Sequence, residues 1–108
     1  MDESTTDMYV VTVQFKVRAE WRRDFQETVL KNATRTLQEV GCHRFDVCFS
    51  EDGSECFLYE LYKGRAAFEE HLVTPHFKEF DQATKPFVIT KRVETYLLHP
   101  NPPYADGI

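Results

Sequence analysis

The chain begins with a pattern of apolar positions that changes period after about twenty residues. From Tyr9 to Val17 apolar side chains recur at every second position, which is typical of a strand with one buried face. From Glu20 to Val40 they recur every three or four positions, which predicts an amphipathic helix. Its apolar stripe consists of Trp21, Phe25, Val29, Ala33, Leu37 and Val40. Gly41 follows this stripe, where a left-handed helix cap is usual.

The middle of the chain predicts a hairpin of two strands. Residues 44–50 and 56–62 are rich in aromatic and β-branched residues, and the Glu51–Ser54 segment between them is a turn signal. The second strand is apolar on both sides, with Phe57, Tyr59 and Leu61 on one and Leu58 and Tyr62 on the other. This pattern predicts a central strand that is covered on both faces.

Two short helices and a final strand are expected in the last part of the chain. Residues 65–73 form the first helix, with Phe68 and Leu72 facing inward. Thr74 and Pro75 are favourable at the N-cap and first helical position of a second helix, which runs to about Ala83. Pro86 ends this helix, and residues 87–98 form a long strand rich in Val, Ile, Thr and Tyr.

The order β-α-β-β-α-β is that of an α+β ferredoxin-like fold, with a four-stranded antiparallel sheet and its helices on one face. The opposite sheet face is expected to carry apolar residues, including Leu58, Tyr62 and Cys48, which would be unfavourable in water. We therefore expect a homodimer through the sheet face. Residues 8–98 form the predicted domain, between a flexible tail of residues 1–7 and an extended tail of residues 99–108 with three prolines.

Composition narrows the class of protein. The 108 residues fit one domain, and the net charge of −5 argues against nucleic acid as a partner. No segment matches a signal peptide or a membrane span, so no membrane contact is expected and the cytoplasm is the default location. The odd number of cysteines, Cys42, Cys48 and Cys56, fits neither a disulfide framework nor a zinc site, and we interpret them as reduced.

Polar side chains within the apolar elements are the candidates for chemistry. His71 lies near a buried stripe, and His76 lies in the first turn of a helix, whose dipole favours a neutral imidazole that can accept a proton. Glu60 stands in an apolar strand, where a carboxylate is costly unless it is paired. Asn32 offers a donor and an acceptor near the stripe of the first helix. These four are the predicted catalytic residues.

Each candidate also has a structural interpretation. In this interpretation one histidine caps or bridges helices, the other lies at the surface, and Asn32 is solvated or bridges helices. Glu60 then forms a salt bridge with Arg44, Lys91 or Arg92. Phe57, Tyr59 and Phe68 are candidates for substrate binding, although aromatic residues at such spacing are more often part of the core. Arg44 is a candidate for binding a substrate phosphate.

The sequence predicts neither a metal nor a cofactor. His71 and His76 are five residues apart with a helix break between them, whereas metal-binding histidines on one helix face are usually four apart. The chain also has no Gly-rich phosphate loop and no nucleotide-binding fingerprint.

Several short motifs together resemble the antibiotic biosynthesis monooxygenase family. They are Asn32, the Gly41–Val47 segment, the Tyr59–Tyr62 segment and the His71–Phe77 segment, and the likeness extends over residues 8–98. The Arg-Phe-Asp-Val and His-x-x-Thr-Pro-His stretches are similar to an isomerase that processes a phosphorylated quorum-sensing dione. The resemblance implies a dimeric ferredoxin-like barrel with a pocket between the helices and the sheet of each subunit. Members include oxygenases that need no cofactor, haem-degrading enzymes and proteins of no known activity.

Three functions are compatible with this resemblance. The first is a cofactor-independent monooxygenase that acts on a small quinol-like or enol-like molecule. The second is an isomerase of a hydroxy-dione, and the third is a module that binds a small molecule without turnover. In the enzymes, His71, His76 and Glu60 would carry protons, and Asn32 or Arg44 would stabilise an oxyanion.

Overall fold

The computed structural model describes residues 8–99. The predicted N-terminal tail, residues 1–7, and all of the predicted C-terminal tail of residues 99–108 except His99 lie outside this range. The four strands form one antiparallel sheet in the order β2-β3-β1-β4. The strands are β1 (Tyr9–Val17), β2 (Cys42–Phe49), β3 (Glu55–Tyr62) and β4 (Val88–Leu97). The helices are α1 (Arg22–Thr36), α2 (Arg65–Leu72) and α3 (Pro75–Thr84), with 3-10 turns at Ala19–Trp21 and Lys85–Phe87. The predicted ferredoxin-like α+β fold is therefore confirmed.

One face of the sheet packs against the helices and forms the core. Alternation along β1 directs Val11, Val13 and Phe15 to this face, where they meet Phe25 and Val29 of α1. The rings of Phe15 and Phe25 pack edge to face, with their centroids 5.0 Å apart. These contacts fix α1 across the middle of the sheet.

The prediction for the faces of β3 was wrong. Leu58 and Tyr62 face the helices and are fully buried, and the ring of Tyr62 contacts Phe68 of α2. Phe57 and Tyr59 lie on the opposite face, which we call the open face because no helix covers it in residues 8–99. The alternation along β3 correctly divides its residues between two faces. Because both faces are apolar, it does not tell which face contacts the helices.

The first helix is shorter than the predicted Glu20–Val40. Regular helix ends at Thr36, so Leu37 is half-exposed and Val40 is 95% exposed. Trp21 lies in the preceding 3-10 turn and stacks on Phe87 instead of entering the core.

Gly41 has a steric role and not the predicted left-handed one. Its φ is not positive, and Gly53 in the β2–β3 turn is the positive-φ residue of the described chain. A Cβ atom on Gly41 would lie 2.5 Å from Cβ of Ala67, so the glycine allows α2 to approach the chain.

The junction between α2 and α3 follows the predicted Thr74-Pro75 signal. Thr74 Oγ1 accepts a hydrogen bond from the backbone N–H of Phe77 at 3.2 Å and donates one to the carbonyl of His71 at 2.7 Å. Only Val73 and Thr74 separate the two helices, so the end of α2 and the start of α3 lie side by side.

Two further predictions concern the cysteines and membrane-spanning helices. Cys42, Cys48 and Cys56 are free, and Cys48 is exposed beside Phe57 on the open face. None of the helices within residues 8–99 has the length and apolar character required to cross a membrane.

Candidate functional site

A cavity of about 260 Å³ lies between the helices and the sheet, and we call it the inner cavity. Its walls are mainly apolar, and the polar side chains that reach it are Asn32, Glu60, His71 and Lys91. The apolar lining consists of Val11, Val13, Phe15, Leu58, Phe68, Leu72, Phe77, Phe80 and Val93. An apolar hollow with a few convergent polar groups is the usual form of a small-molecule site.

Glu60 is a carboxyl group in the core. It lies between Val11 and Phe45 on the neighbouring strands and is 4% exposed. Burial raises the pKa of Glu60 to about 7, against the opposing effects of a hydrogen bond from Tyr62 and the charge of Lys91. The Tyr62 hydroxyl donates to Glu60 Oε1 at 2.6 Å, and burial raises the pKa of Tyr62 as well. Glu60 can therefore take up or release a proton near neutral pH.

Asn32 lies on the buried stripe of α1 and is 4% exposed. Its Oδ1 atom is buried and has no hydrogen-bond partner within the described chain. Such an oxygen costs free energy unless something donates to it, so its position suits a ligand with an N–H or O–H group.

Glu39, His71 and His76 converge from three segments of the chain. Glu39 lies after the end of α1, His71 in the last turn of α2, and His76 in the first turn of α3. One carboxylate oxygen, Glu39 Oε2, is 2.8 Å from His71 Nδ1 and 2.5 Å from His76 Nε2. Because a carboxylate only accepts hydrogen bonds, both of these ring nitrogens carry hydrogen when Glu39 is ionised.

The two histidines line different hollows of the protein. His71 is 2% exposed and lines the inner cavity, where its ring contacts Phe77 and Tyr62. Burial lowers the pKa of His71, although its hydrogen bond to Glu39 opposes this effect, so the imidazole is neutral at neutral pH. His76 lines a second hollow of about 300 Å³ between α1 and α3, which we call the outer cleft. Asn32 and Phe80 form walls of both hollows.

Lys91 gives the inner cavity a cation at the β4 side. Its Nζ atom is 3.2 Å from Asp81 Oδ1 and lies 5.8 Å and 5.7 Å from the ring centroids of Phe15 and Phe77. It is held by these groups and does not form the predicted salt bridge with Glu60. Its charge nevertheless favours an anion in the cavity.

The three clustered side chains also offer metal-ligand atoms, all within 4.8 Å of one another. The oxygen–nitrogen distances of 2.5 and 2.8 Å are those of hydrogen bonds. They are shorter than the roughly 3 Å that separates adjacent ligands around an octahedral ion with bonds of about 2.1 Å. The geometry therefore describes a hydrogen-bonded cluster, and a cation would have to spread it apart.

Comparison with known proteins places this site in a family. The family model for antibiotic biosynthesis monooxygenase matches residues 8–83, which carry both cavities except for Lys91 and Val93 of β4. The chain belongs to the antibiotic biosynthesis monooxygenase family.

Relatives of this antibiotic biosynthesis monooxygenase family member agree in sequence and structure. The "Putative monooxygenase Rv0793" of Mycobacterium tuberculosis is 30% identical over 90 residues, which cover 79% of this chain and 89% of the relative. Its solved structure has a TM-score of 0.76, at 26% identity, over 91% of this chain and 99% of that chain. A "Putative antibiotic biosynthesis monooxygenase" from Nitrosomonas europaea has a TM-score of 0.78 at 27% identity, over 82% of this chain and 95% of that chain.

Among the residues predicted for this family member, the catalytic candidates fall together and the binding candidates do not. His71, Glu60 and Asn32 line the inner cavity, and His76 joins them through Glu39. Of the predicted substrate-binding residues, Phe68 lines the inner cavity. The other three, Phe57, Tyr59 and Arg44, lie on the open face, because each occupies a strand position next to one that faces the helices. Arg44 forms an ion pair with Asp46 there at 2.6 Å.

Sequence reasoning missed two members of the site. Glu39 falls inside the predicted helix but outside its apolar stripe, so the pattern gave no sign of a role in the site. The spacing of His71 and His76 argued against a shared metal site, and the break between α2 and α3 is what brings the two rings together, with centroids 5.8 Å apart. Lys91 could have been found from its position two residues before Val93, which places both on the helix face of β4.

Proposed function

We propose that the protein is a monooxygenase that oxidises a small, electron-rich molecule, such as a quinol or an enol, in the inner cavity. The proposal rests mainly on the convergence of a buried carboxyl group that titrates near neutral pH and an unpartnered amide oxygen in an apolar cavity. Family membership and the names of the relatives support this reaction class.

The size and chemistry of the cavity indicate the substrate class. Its volume of about 260 Å³ lies just below the roughly 300–1,000 Å³ of typical ligand pockets, which favours a compact molecule. The aromatic side chains Phe15, Phe68 and Phe77 suit a planar ring. A hydroxyl group of the substrate would donate to Asn32 Oδ1, and the enolate formed from it would face the charge of Lys91.

The proposed reaction is balanced without a bound redox group, because the substrate supplies the electrons. The keto tautomer of the quinol or enol carries a ring CH2 group. This group and O2 give a ring C=O group and H2O, so the carbon is oxidised and oxygen is reduced. Glu60, when ionised, takes a proton from the activated substrate, and the carbon–hydrogen electron pair stays on the ring. The resulting carbanion reduces O2 and a C–O bond forms. Glu60 returns its proton to the peroxide, and the O–O bond then breaks with loss of water.

A second subunit is part of the proposal. The open face exposes Phe57 and Tyr96, and β4 is exposed along most of its length. A homodimer through the open face would remove this apolar surface from water.

Oxygen uptake tests the proposed reaction. A panel of naphthalene and anthracene 1,4-quinols, whose keto tautomers carry a ring CH2 group, is mixed with the protein, and consumption of O2 is recorded beside the uncatalysed oxidation. We expect catalysed uptake with at least one quinol, and one atom of labelled O2 in the product. Asn32→Leu should lower turnover at least about tenfold with unchanged folding, because Leu fills the space but removes the oxygen acceptor.

A parallel assay with a hydroxy-dione distinguishes the isomerase. Isomerisation without oxygen uptake would replace the proposed function with that activity, since the same proton carriers can move a proton between carbons. Tight binding of a quinol with no turnover of either substrate would instead indicate a binding module. The control variant Gln26→Leu replaces an exposed amide on the same helix as Asn32 and should leave oxygen uptake unchanged.

A further inference from the structure

In the cluster of Glu39, His71 and His76, the hydrogen bond from His71 to Glu39 determines which ring nitrogen of His71 can accept a proton. A neutral imidazole carries one hydrogen, and donation from His71 Nδ1 to Glu39 leaves His71 Nε2 as an acceptor. His71 lines the inner cavity, and its Nδ1 atom is turned to Glu39, so Nε2 is the ring nitrogen that remains for a molecule held there. The same arrangement of carboxylate, imidazole and reacting group is used by catalytic triads.

The proposed oxidation requires a second proton acceptor, and His71 Nε2 can fill this role. Conversion of a CH2 group to a C=O group removes two hydrogens from one carbon, and the inner cavity contains two proton acceptors, Glu60 and His71. Glu60 Oε1 already accepts a hydrogen bond from the Tyr62 hydroxyl, whereas Glu39 contacts His71 at Nδ1 and leaves Nε2 outside the hydrogen bonds of the cluster. The two acceptors can therefore serve successive proton transfers.

We propose that Glu39 is a positioning residue, which holds His71 in the Nδ1–H tautomer so that His71 Nε2 accepts a proton from the substrate in the inner cavity. In this step the C–H bond of the oxygenated carbon breaks, an N–H bond forms at Nε2, and the electron pair forms the C=O bond as the O–O bond breaks. The imidazolium then gives the proton to the leaving hydroxide, which departs as water. This role rests on the proposed function for its substrate, but the tautomer does not.

His76 completes the arrangement from the solvent side. Its Nε2–H donates to the same oxygen of Glu39, so the carboxylate is held between two rings and cannot rotate away from His71. The Glu39 side chain is 17% exposed and that of His76 is 16% exposed, against 3% for His71. His76 therefore acts at the boundary with the outer cleft, and the reacting ring remains inside.

Long-range ¹H–¹⁵N NMR of protein labelled in histidine tests the tautomer directly. We expect His71 to be in the Nδ1–H form, with its signals assigned by their loss in His71→Asn. Glu39→Gln should convert His71 to the Nε2–H form, because an amide N–H can donate to Nδ1. A wild-type His71 in the Nε2–H form would overturn the proposal, whatever the protein oxidises.

Kinetics with the best quinol test the consequence. Glu39→Gln should lower kcat by about 100-fold or more with KM changed by less than about twofold, since positioning of a general base affects the chemical step. His76→Gln keeps a donor to Glu39 and should retain most of kcat, whereas His76→Leu should lose about tenfold. The exposed His43→Gln is the matched control.

The outcomes separate the two proposals. Unchanged kcat in Glu39→Gln, or equal losses in His76→Gln and His76→Leu, would reject the positioning role. If the wild-type protein oxidises no quinol, the proposed function fails, and the NMR measurement still decides whether Glu39 sets the tautomer of His71. Thermal unfolding of each variant shows whether a lost activity is only a lost fold.

Discussion

At the scale of single residues, the site consists of polar side chains whose burial in the core destabilises the fold. Glu60 is the clearest example, because a carboxylate among apolar neighbours loses most of its hydration. Its folded-state pKa of about 7 lies above the ordinary value of 4.5. A raised pKa of an acid means that folding favours the protonated form, so ionisation of Glu60 destabilises the native state.

Substitution of Glu60 should therefore change how stability depends on pH. The contribution of the protonated carboxyl group is fully present below pH 4.5 and is lost as pH rises through about 7, a difference of roughly 3 kcal/mol. Glu60→Gln lacks this loss, so relative to the wild type its free energy of unfolding should rise by an amount of that order between pH 4 and pH 8. Urea denaturation at both pH values measures the change.

The exposed Glu70→Gln variant is the control for that experiment, because it removes one carboxylate from the surface of α2. It should follow the wild type at both pH values. A Glu60→Gln curve parallel to the wild-type curve would show that Glu60 is not protonated by burial.

The same physical reason explains which site residues could be predicted. Asn32, Glu60 and His71 interrupt apolar patterns, and a polar residue at a buried position is a signal that the sequence itself contains. Glu39 interrupts no apolar pattern, because it lies between Leu37 and Val40, at a polar position of the predicted helix. Its role depends on the positions of two later helices, and such a contact cannot be derived from spacing along the chain.

At the scale of elements, the position of α2 depends on a close approach to the chain before β2. The Cβ of Ala67 faces Gly41, and the space between them is too small for another methyl group. The backbone also connects here, since the N–H of Lys63 donates to the carbonyl of Gly41 at 2.7 Å. This approach sets where α2 lies, and α2 carries His71.

Gly41→Ala should destabilise the fold by about 1–3 kcal/mol, because overpacking at a backbone contact forces α2 to shift. The double variant Gly41→Ala with Ala67→Gly removes the clash and should recover part of this loss, which a double-mutant cycle in urea measures. Strictly additive effects of the two changes would contradict the contact. Because α2 moves, the single variant should also alter the NMR signals of His71.

Sequence patterns predicted the type and order of the elements better than their ends. The Thr74-Pro75 signal was sufficient for α3, since the Thr74 hydroxyl does cap it. The predicted end of α1, Val40, was four residues too late. Leu37 and Val40 continue the apolar spacing, but no element packs against Val40. Periodicity reports what a helix could bury, whereas its end is decided by tertiary contacts.

At the scale of the whole molecule, the sheet has one face committed to the helices and one that is not. The choice between the faces of β3 was not available from sequence, because both sets of residues are apolar. The burial of Leu58 and Tyr62 accounts for one face, and the exposed Phe57 and its neighbours on the open face are left without a cover. Homodimer formation is the interpretation that explains the apolar residues of the open face, because a second subunit would remove them from water.

Phe57→Glu tests this interpretation on β3, an inner strand of the sheet, at a position on the open face. A carboxylate there would be desolvated in a dimer but hydrated in a monomer, so it should favour dissociation. Sedimentation velocity is expected to show the wild type at twice the 12.7 kDa of one chain and Phe57→Glu near one chain mass. Leu30→Glu is the matched control, since Leu30 is a similarly exposed apolar residue on the helix side. If Leu30→Glu dissociates the protein and Phe57→Glu does not, the subunits meet through the helices, and the open face must have another role.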